Sequence, residues 1–106
     1  MTNFEAISAR LYPYNVDDNL INVACEDVSL PVDGKYVPGN KPAAIKATID
    51  VLKQLIVLAS ENNGGYSLGY DPDKLSQRIY NLAKDNGLTD IAEEFDPTPQ
   101  IFFLDL

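Results

Sequence analysis

The sequence predicts a mainly α domain of four to five helices around a long central helix, with a short extended segment or a small β-hairpin. Its 106 residues are 45% apolar, which is enough for one modest core. Apolar side chains recur at helical spacing over residues 42–60, the longest such stretch. Residues 71–88 carry a helix start signal, an amphipathic pattern and a helix stop signal. We expect residues 1–96 to form one helical domain and residues 97–106 an apolar arm.

Two short helices are predicted before residue 28. Thr2 and Glu5 fit a capping box that opens the first helix, whose apolar face carries Phe4, Ile7 and Leu11. Tyr12-Pro13 ends it, because proline disfavours helical geometry in the preceding residue. Asn15 is the predicted cap of a second helix that reaches about Asp27. Its predicted apolar stripe consists of Val16, Leu20, Val23, Ala24 and Val28.

A turn-rich loop covers residues 29–41. Asp33-Gly34 lies between Val32 and an extended-type run, which is a hairpin-turn signal. The sequence therefore predicts a small hairpin over residues 32–37, which would be stable only when packed on the rest of the domain.

The central helix is apolar over most of its circumference. One face carries Ile45, Ile49, Leu52, Ile56 and Ala59, and an adjoining face carries Val51, Leu55 and Leu58. A helix of this kind is buried on most sides. The apolar faces of this helix can be buried in two ways, by the other helices of the same chain or by a second subunit. The sequence leaves this choice open.

Residues 64–88 combine an extended segment with a capped helix. Tyr66, Leu68 and Tyr70 alternate with Ser67 and Gly69, and we expect the three to pack on the central helix or on a neighbouring subunit. Gly65 allows a close approach of the backbone. Asp71 and Pro72 then open a helix that presents Leu75, Ile79 and Leu82 on one face and stops at Gly87. Asp90 and Glu93 are the predicted cap of a last short helix.

The chemistry of the side chains points away from catalysis. The chain has no histidine and one cysteine, Cys25, so the usual zinc sites and Cys/His nucleophile pairs are excluded. Paired carboxylates occur at Asp17-Asp18, Asp71-x-Asp73 and Glu93-Glu94. They lie at predicted helix starts or on a short terminal helix. Capping and the helix dipole explain why acidic residues occur at the helix starts. We therefore predict no enzyme activity, no cofactor and no metal site.

The net charge restricts the partners. Eight basic against 16 acidic residues give a charge of −8, which repels nucleic acid backbones. No apolar run is long enough to span a bilayer, so we expect no membrane partner.

Three segments together resemble a known family. They are ISARLYPYNVDDNLINVACED at 7–27, KPAAIKATIDVLKQLIVLAS at 41–60 and GGYSLGYDPDKLSQRIYNLAKDNGL at 64–88. In this order they resemble the small head-tail connector (adaptor, or head-completion) proteins of tailed bacteriophages and prophages. The matching positions are Gly65, Ser67 and Tyr70 in the extended segment, and Arg78, Ile79 and Leu82 in the helix that follows.

The resemblance implies a structural role in a virion. Such proteins self-associate into a ring on the portal protein, provide a platform for a tail-completion protein and let DNA pass through without specific binding. They are found in the bacterial cytoplasm during assembly and then in the virion. The alternative is a small acidic adaptor or regulatory protein that binds a basic protein partner.

The apolar arm is a predicted partner interface, together with Tyr66, Leu68 and Tyr70. Ile101, Phe102, Phe103 and Leu104 are consecutive and follow the Pro97-Thr98-Pro99 break. They either fold back on their own domain or dock on another protein. We favour docking, because the prolines separate them from the last predicted helix.

Deletion of residues 98–106 tests this choice. For a docking arm we expect an almost unchanged melting temperature together with loss of incorporation into particles. If the arm covers its own domain, the deletion removes about 1.5–3 kcal/mol of stability for each large buried side chain. A large loss of stability with assembly retained at low temperature would contradict the docking arm.

Overall fold

Five α-helices build the part of the fold that the structure describes. The computed structural model describes residues 1–61 and 70–97, and of residues 60 and 61 only the main chain. The helices are α1 (Asn3–Leu11), α2 (Asp18–Asp27), α3 (Lys41–Glu61), α4 (Pro72–Asp85) and α5 (Thr89–Glu94), with a single 3-10 turn at Pro38–Asn40. Within these ranges there is no β-strand, only one antiparallel bridge between Thr2 and Lys35. The predicted mainly α class is confirmed.

The long helix α3 lies at the centre, and α1, α2 and α4 all pack on it. Its fully buried side chains are Ala44, Ile45, Ala47, Thr48, Ile49, Val51, Leu52 and Leu55. Helices of the same chain therefore cover most of α3. Near its C-terminal end, Val57 and Leu58 remain 42% and 37% exposed.

The loop before α3 does not form the predicted hairpin over residues 32–37. It pairs with the N-terminus instead: the N–H groups of Asn3 and Phe4 donate to the carbonyls of Gly34 and Val32, at 2.9 and 3.1 Å. These two donors belong to the first turn of α1 and have no partner within the helix. A two-stranded hairpin alone is marginal, whereas this pairing satisfies free helix donors and ties the loop to α1.

The first two helices begin at side-chain caps. In the Thr2–Glu5 capping box, the Glu5 N–H donates to Thr2 Oγ1 at 3.1 Å and the Thr2 N–H donates to Glu5 Oε1 at 2.7 Å, as predicted. The cap predicted at Asn15 is wrong. Asp17 caps α2, since its Oδ1 accepts from the Asn19 N–H at 2.8 Å.

The buried face of α2 agrees only in part with the predicted stripe. Ala24 is buried and Val16, Leu20 and Val28 are half-buried against the core, whereas Val23 is 56% exposed. Ile21 and Cys25, which the predicted stripe does not include, are also buried. Burial raises the pKa of the Cys25 thiol, which favours its uncharged form.

Helix α4 has the predicted start and stop. The carboxylate of Asp71 accepts from the N–H groups of Asp73 and Lys74, and Pro72 occupies the first helical position. At the other end Gly87 has φ of +72°, and the Leu88 N–H donates to the Ala83 carbonyl at 2.8 Å. This is a Schellman stop, for which glycine is suited because a positive φ costs it little.

Helix α5 begins directly after this stop and has no side-chain cap. The cap predicted at Asp90 and Glu93 is wrong. Leu88 ends the Schellman motif and is also the residue before α5, so Asp90 lies inside the first turn of the helix. Ile91, Ala92 and Phe95 are half-buried against the core.

Two substitutions in α4 test how this helix is held. We expect Asp71→Ala to cost about 1 kcal/mol of stability, because two backbone donors lose their acceptor. Ile79→Ala should cost roughly 2–5 kcal/mol, because it truncates a fully buried side chain. Chemical denaturation measures both, with Asp90→Ala as the control for an acidic residue that caps nothing. A larger loss for Asp71→Ala than for Ile79→Ala would contradict this packing.

Candidate functional site

Tyr70, just before α4, is buried within its own subunit. It is 7% exposed, and its hydroxyl donates to the Asn15 carbonyl at 3.1 Å. Its ring meets that of Tyr14 edge to face, with centroids 6.1 Å apart. The sequence predicts that Tyr70 packs on the central helix or on a neighbouring subunit. In the structure its hydroxyl and its ring contact Asn15 and Tyr14 of the α1–α2 connection.

Arg78, on α4, binds the same connection. Its Nη1 donates to the carbonyls of Tyr12 and Arg10 at 2.6 and 3.3 Å, and its guanidinium lies 5.3 Å from the centre of the Tyr14 ring. These carbonyls lie at and just beyond the end of α1, where carbonyls lack helical partners. Sequence reasoning singled out Arg78 only through the resemblance. Its acceptors are main-chain atoms far away in the sequence, and no pattern of side chains marks them.

A groove with a positive lining runs between α1 and α4, and we call it the α1/α4 groove. Its lining residues are Arg10, Lys74, Gln77, Arg78, Asn81, Leu82 and Asp85. Arg10 is held by uncharged groups: it donates to the Tyr36 hydroxyl at 3.0 Å and lies 5.4 Å from the centre of that ring. Tyr12, whose carbonyl binds Arg78, is 77% exposed.

A second groove lies between α2 and α3, and we call it the α2/α3 groove. Its apolar lining residues are Leu20, Val23, Ala24 and Val51, and its polar ones are Asp27, Asp50, Lys53 and Gln54. Burial is the main cause that raises the pKa of the half-buried Asp50. The negative charge of Asp27 adds to the increase in this pKa, and the positive charge of Lys53 opposes it. The ionised form of Asp50 is therefore poorly solvated in the folded protein.

Several predicted site residues lie outside the described ranges. They are the predicted interface residues Tyr66, Leu68, Ile101, Phe102, Phe103 and Leu104, and the predicted structural residue Gly65. Of the predicted structural residues, Ile79 is fully buried, Leu82 is half-buried on the rim of the α1/α4 groove, and Asp71 and Gly87 bound α4.

The paired carboxylates are used for local structure where they begin a helix. Asp17 and Asp71 are caps, and Asp18 and Asp73 lie in the first turns that follow, where the helix dipole favours negative charge. Glu93 and Glu94 are exposed on α5. Among the described residues, no three carboxylate or thiol side chains are grouped in a way that could hold a metal ion.

None of the helices in the described ranges combines the length and the apolar character needed to cross a membrane.

Arg78 tests whether directed hydrogen bonds hold the α1–α2 connection. We expect Arg78→Met to cost about 1–3 kcal/mol, because two carbonyl acceptors lose a charged donor while the aliphatic packing is kept. Arg78→Lys should recover only part of this, since one ammonium group cannot reproduce the planar fork. Urea denaturation measures the loss, with the exposed Lys74→Met as the charge-matched control. Equal losses for both Met variants would contradict the proposed role of Arg78.

Asp50 gives a pH dependence of known sign. Its raised pKa means that the folded state binds more protons than the unfolded state above the ordinary value of 3.8. Ionisation of Asp50 therefore destabilises the fold as the pH rises. We expect Asp50→Asn to be more stable than the original chain at about pH 7, with the difference shrinking as the pH falls towards about 4. Denaturation at both pH values measures it, with exposed Glu93→Gln as control, and a less stable Asp50→Asn variant at neutral pH would contradict it.

Comparison with known proteins gives one match. No curated protein matches the chain, and neither does any solved structure. One family model, described as a family of unknown function (DUF6706), matches residues 1–102. The match includes the five helices described above and the first two residues of the apolar stretch at 101–104. The chain therefore belongs to the DUF6706 family.

Proposed function

We propose that this chain is a structural protein of a phage or prophage that forms a connector ring between portal and tail, without catalysis. The observation that carries the proposal is the packing of the segments on which the resemblance rests. Residues 7–27, α3 and α4 form one body, tied together by Tyr70 and Arg78. A ring of identical subunits needs such a body, because each subunit must present the same surfaces to its neighbours.

The two faces of α4 explain how this body is built. Leu75 and Ile79 are fully buried in the core, where α4 packs on α3. Arg78, next to Ile79 in sequence, reaches out to the end of α1. Helix α4 thus contacts both the central helix and the end of α1. These contacts favour a stiff subunit over a set of independently moving helices.

The charge suits a channel through which DNA moves. The net charge of −8 gives the subunit a negative field that repels phosphate. The proposal is accordingly that DNA passes through the ring without specific binding.

The proposed partners are the portal protein, a tail-completion protein and further copies of the chain. The apolar stretch Ile101–Leu104 stays assigned to docking on one of them, although it lies outside the described residues. The proposed location is the bacterial cytoplasm during assembly and the virion afterwards.

A small acidic adaptor that binds a basic partner is the second candidate. The α2/α3 groove favours it, because Asp27 and Asp50 lie beside apolar side chains that a partner could cover. An adaptor would bind its partner as a monomer or dimer and would not form a ring on portal protein.

Electron microscopy of the chain mixed with purified portal protein decides between them. We expect a ring of this chain that follows the symmetry of the portal, whereas the chain alone should be monomeric or weakly associated in sedimentation. The protein lacking residues 98–106 is the matched control for the arm and should leave the portals bare. Bare portals with the full-length chain at saturating concentration would contradict the connector function.

A further inference from the structure

We propose that neighbouring copies of this chain bind head to tail, with the α1/α4 groove and Tyr12 of one copy against the α2/α3 groove of the next. The inference rests on the proposed ring and names the subunit contact within it. The two grooves share no residue and lie on different pairs of helices, so one copy can use both at once. A contact between two unlike surfaces continues from copy to copy and closes into a ring when the rotation allows.

The α1/α4 groove offers fixed positive charge. The guanidiniums of Arg10 and Arg78 are held by carbonyl groups and tyrosine side chains, which orient them without cancelling their charge. Lys74 adds an exposed ammonium group, and Asp85 is the carboxylate among the lining residues. Side chains that are already ordered lose less entropy when they bind a partner.

Tyr12 gives this side an apolar anchor. It is 77% exposed although its own carbonyl is bound by Arg78, so its position is fixed while its ring remains free to make contacts. Tyrosine and arginine are among the residue types that contribute most to binding at protein interfaces. Their combination here indicates a protein partner.

The α2/α3 groove offers the complementary features. Its apolar lining includes Val23, which is 56% exposed, and it can receive an aromatic ring. Asp27 and Asp50 supply negative charge beside it, and Lys53 is the cation among the lining residues. Burial and the charge of Asp27 disfavour ionised Asp50, and Lys53 opposes them only in part, so a cation from a neighbouring copy would further stabilise the ionised form.

A second copy fits better than nucleic acid. The chain carries −8 overall, so a long polyanion is repelled before it reaches one positive groove. A neighbouring copy also carries −8, but its acidic groove can meet the basic groove while its other charged surfaces lie farther away, where salt screens their repulsion. Complementary charge of this kind also fixes the register between subunits.

Zero-length cross-linking between isotopically distinct copies tests the contact directly. Equal amounts of unlabelled and ¹⁵N-labelled protein are mixed at high concentration and treated with a carbodiimide, which joins lysines to carboxylates in direct contact. We expect mixed-isotope peptides that join Lys74 to Asp27 or Asp50. No mixed-isotope product, or Lys74 joined between copies only to other carboxylates such as Asp90, would overturn the proposal.

Charge reversal gives an independent measurement. Lys74→Glu and Asp27→Lys should each weaken the weak self-association that sedimentation equilibrium detects at high protein concentration by about tenfold or more, since like charges then face each other. The double variant should recover most of the loss. Both changes lie at exposed positions and agree with the helix dipole, so the fold should be kept, as circular dichroism will check. Lys46→Glu and Glu93→Lys are the matched controls at other exposed positions and should leave association unchanged.

The outcomes separate this contact from the connector function. Losses no larger than those of the controls, or no recovery in the double variant, would overturn the head-to-tail contact even if a ring forms on the portal. The expected cross-links together with bare portals would keep the contact and overturn the connector function. If Lys74→Glu abolishes binding of duplex DNA and leaves self-association unchanged, the α1/α4 groove is a phosphate site and the proposal is wrong.

Discussion

Helix α3 is apolar over most of its circumference, so other parts of the fold must pack against it to keep its side chains out of water. Three helices pack on α3: α1 and α2, which precede it in the sequence, and α4, which follows it. Burial of apolar area is the dominant favourable term in folding, and α3 contributes eight of the buried side chains. The positions of the other helices follow from this requirement, and so do the grooves between them.

Polar contacts then fix how the outer helices lie. The core alone holds α1 and α4 against α3, but apolar packing is not directional. Arg78 and Tyr70 supply direction, because each bonds a main-chain carbonyl at the connection between α1 and α2. A lost hydrogen bond to such a carbonyl leaves a polar group without a partner, which is costly where the site is partly buried. The contacts therefore select one arrangement among those that bury the same apolar area.

The proposed functional surfaces are consequences of these same contacts. Because Arg10 and Arg78 are bound by uncharged groups, the groove beside them keeps its positive charge in a protein that is acidic overall. Because the buried face of α2 includes Ile21, Ala24 and Cys25, Val23 is left exposed and lines the α2/α3 groove. The proposed head-to-tail contact would use the two grooves that remain exposed once the helices of one subunit have packed together.

The helical class, the capping box of α1, and the start and stop of α4 could be predicted from the sequence. Each depends on residues within a few positions of one another, so local geometry suffices. Other features depend on how distant segments pack. Residues 32–37 do not form the predicted hairpin. Carbonyl groups in this loop instead accept from free N–H groups at the start of α1, which are distant from the loop in the sequence. The role of Arg78 and the two grooves also depend on atoms from separate helices, and no local pattern encodes how these meet. A helix cap is a short-range interaction, whereas a groove between helices exists only once the core has placed both of them.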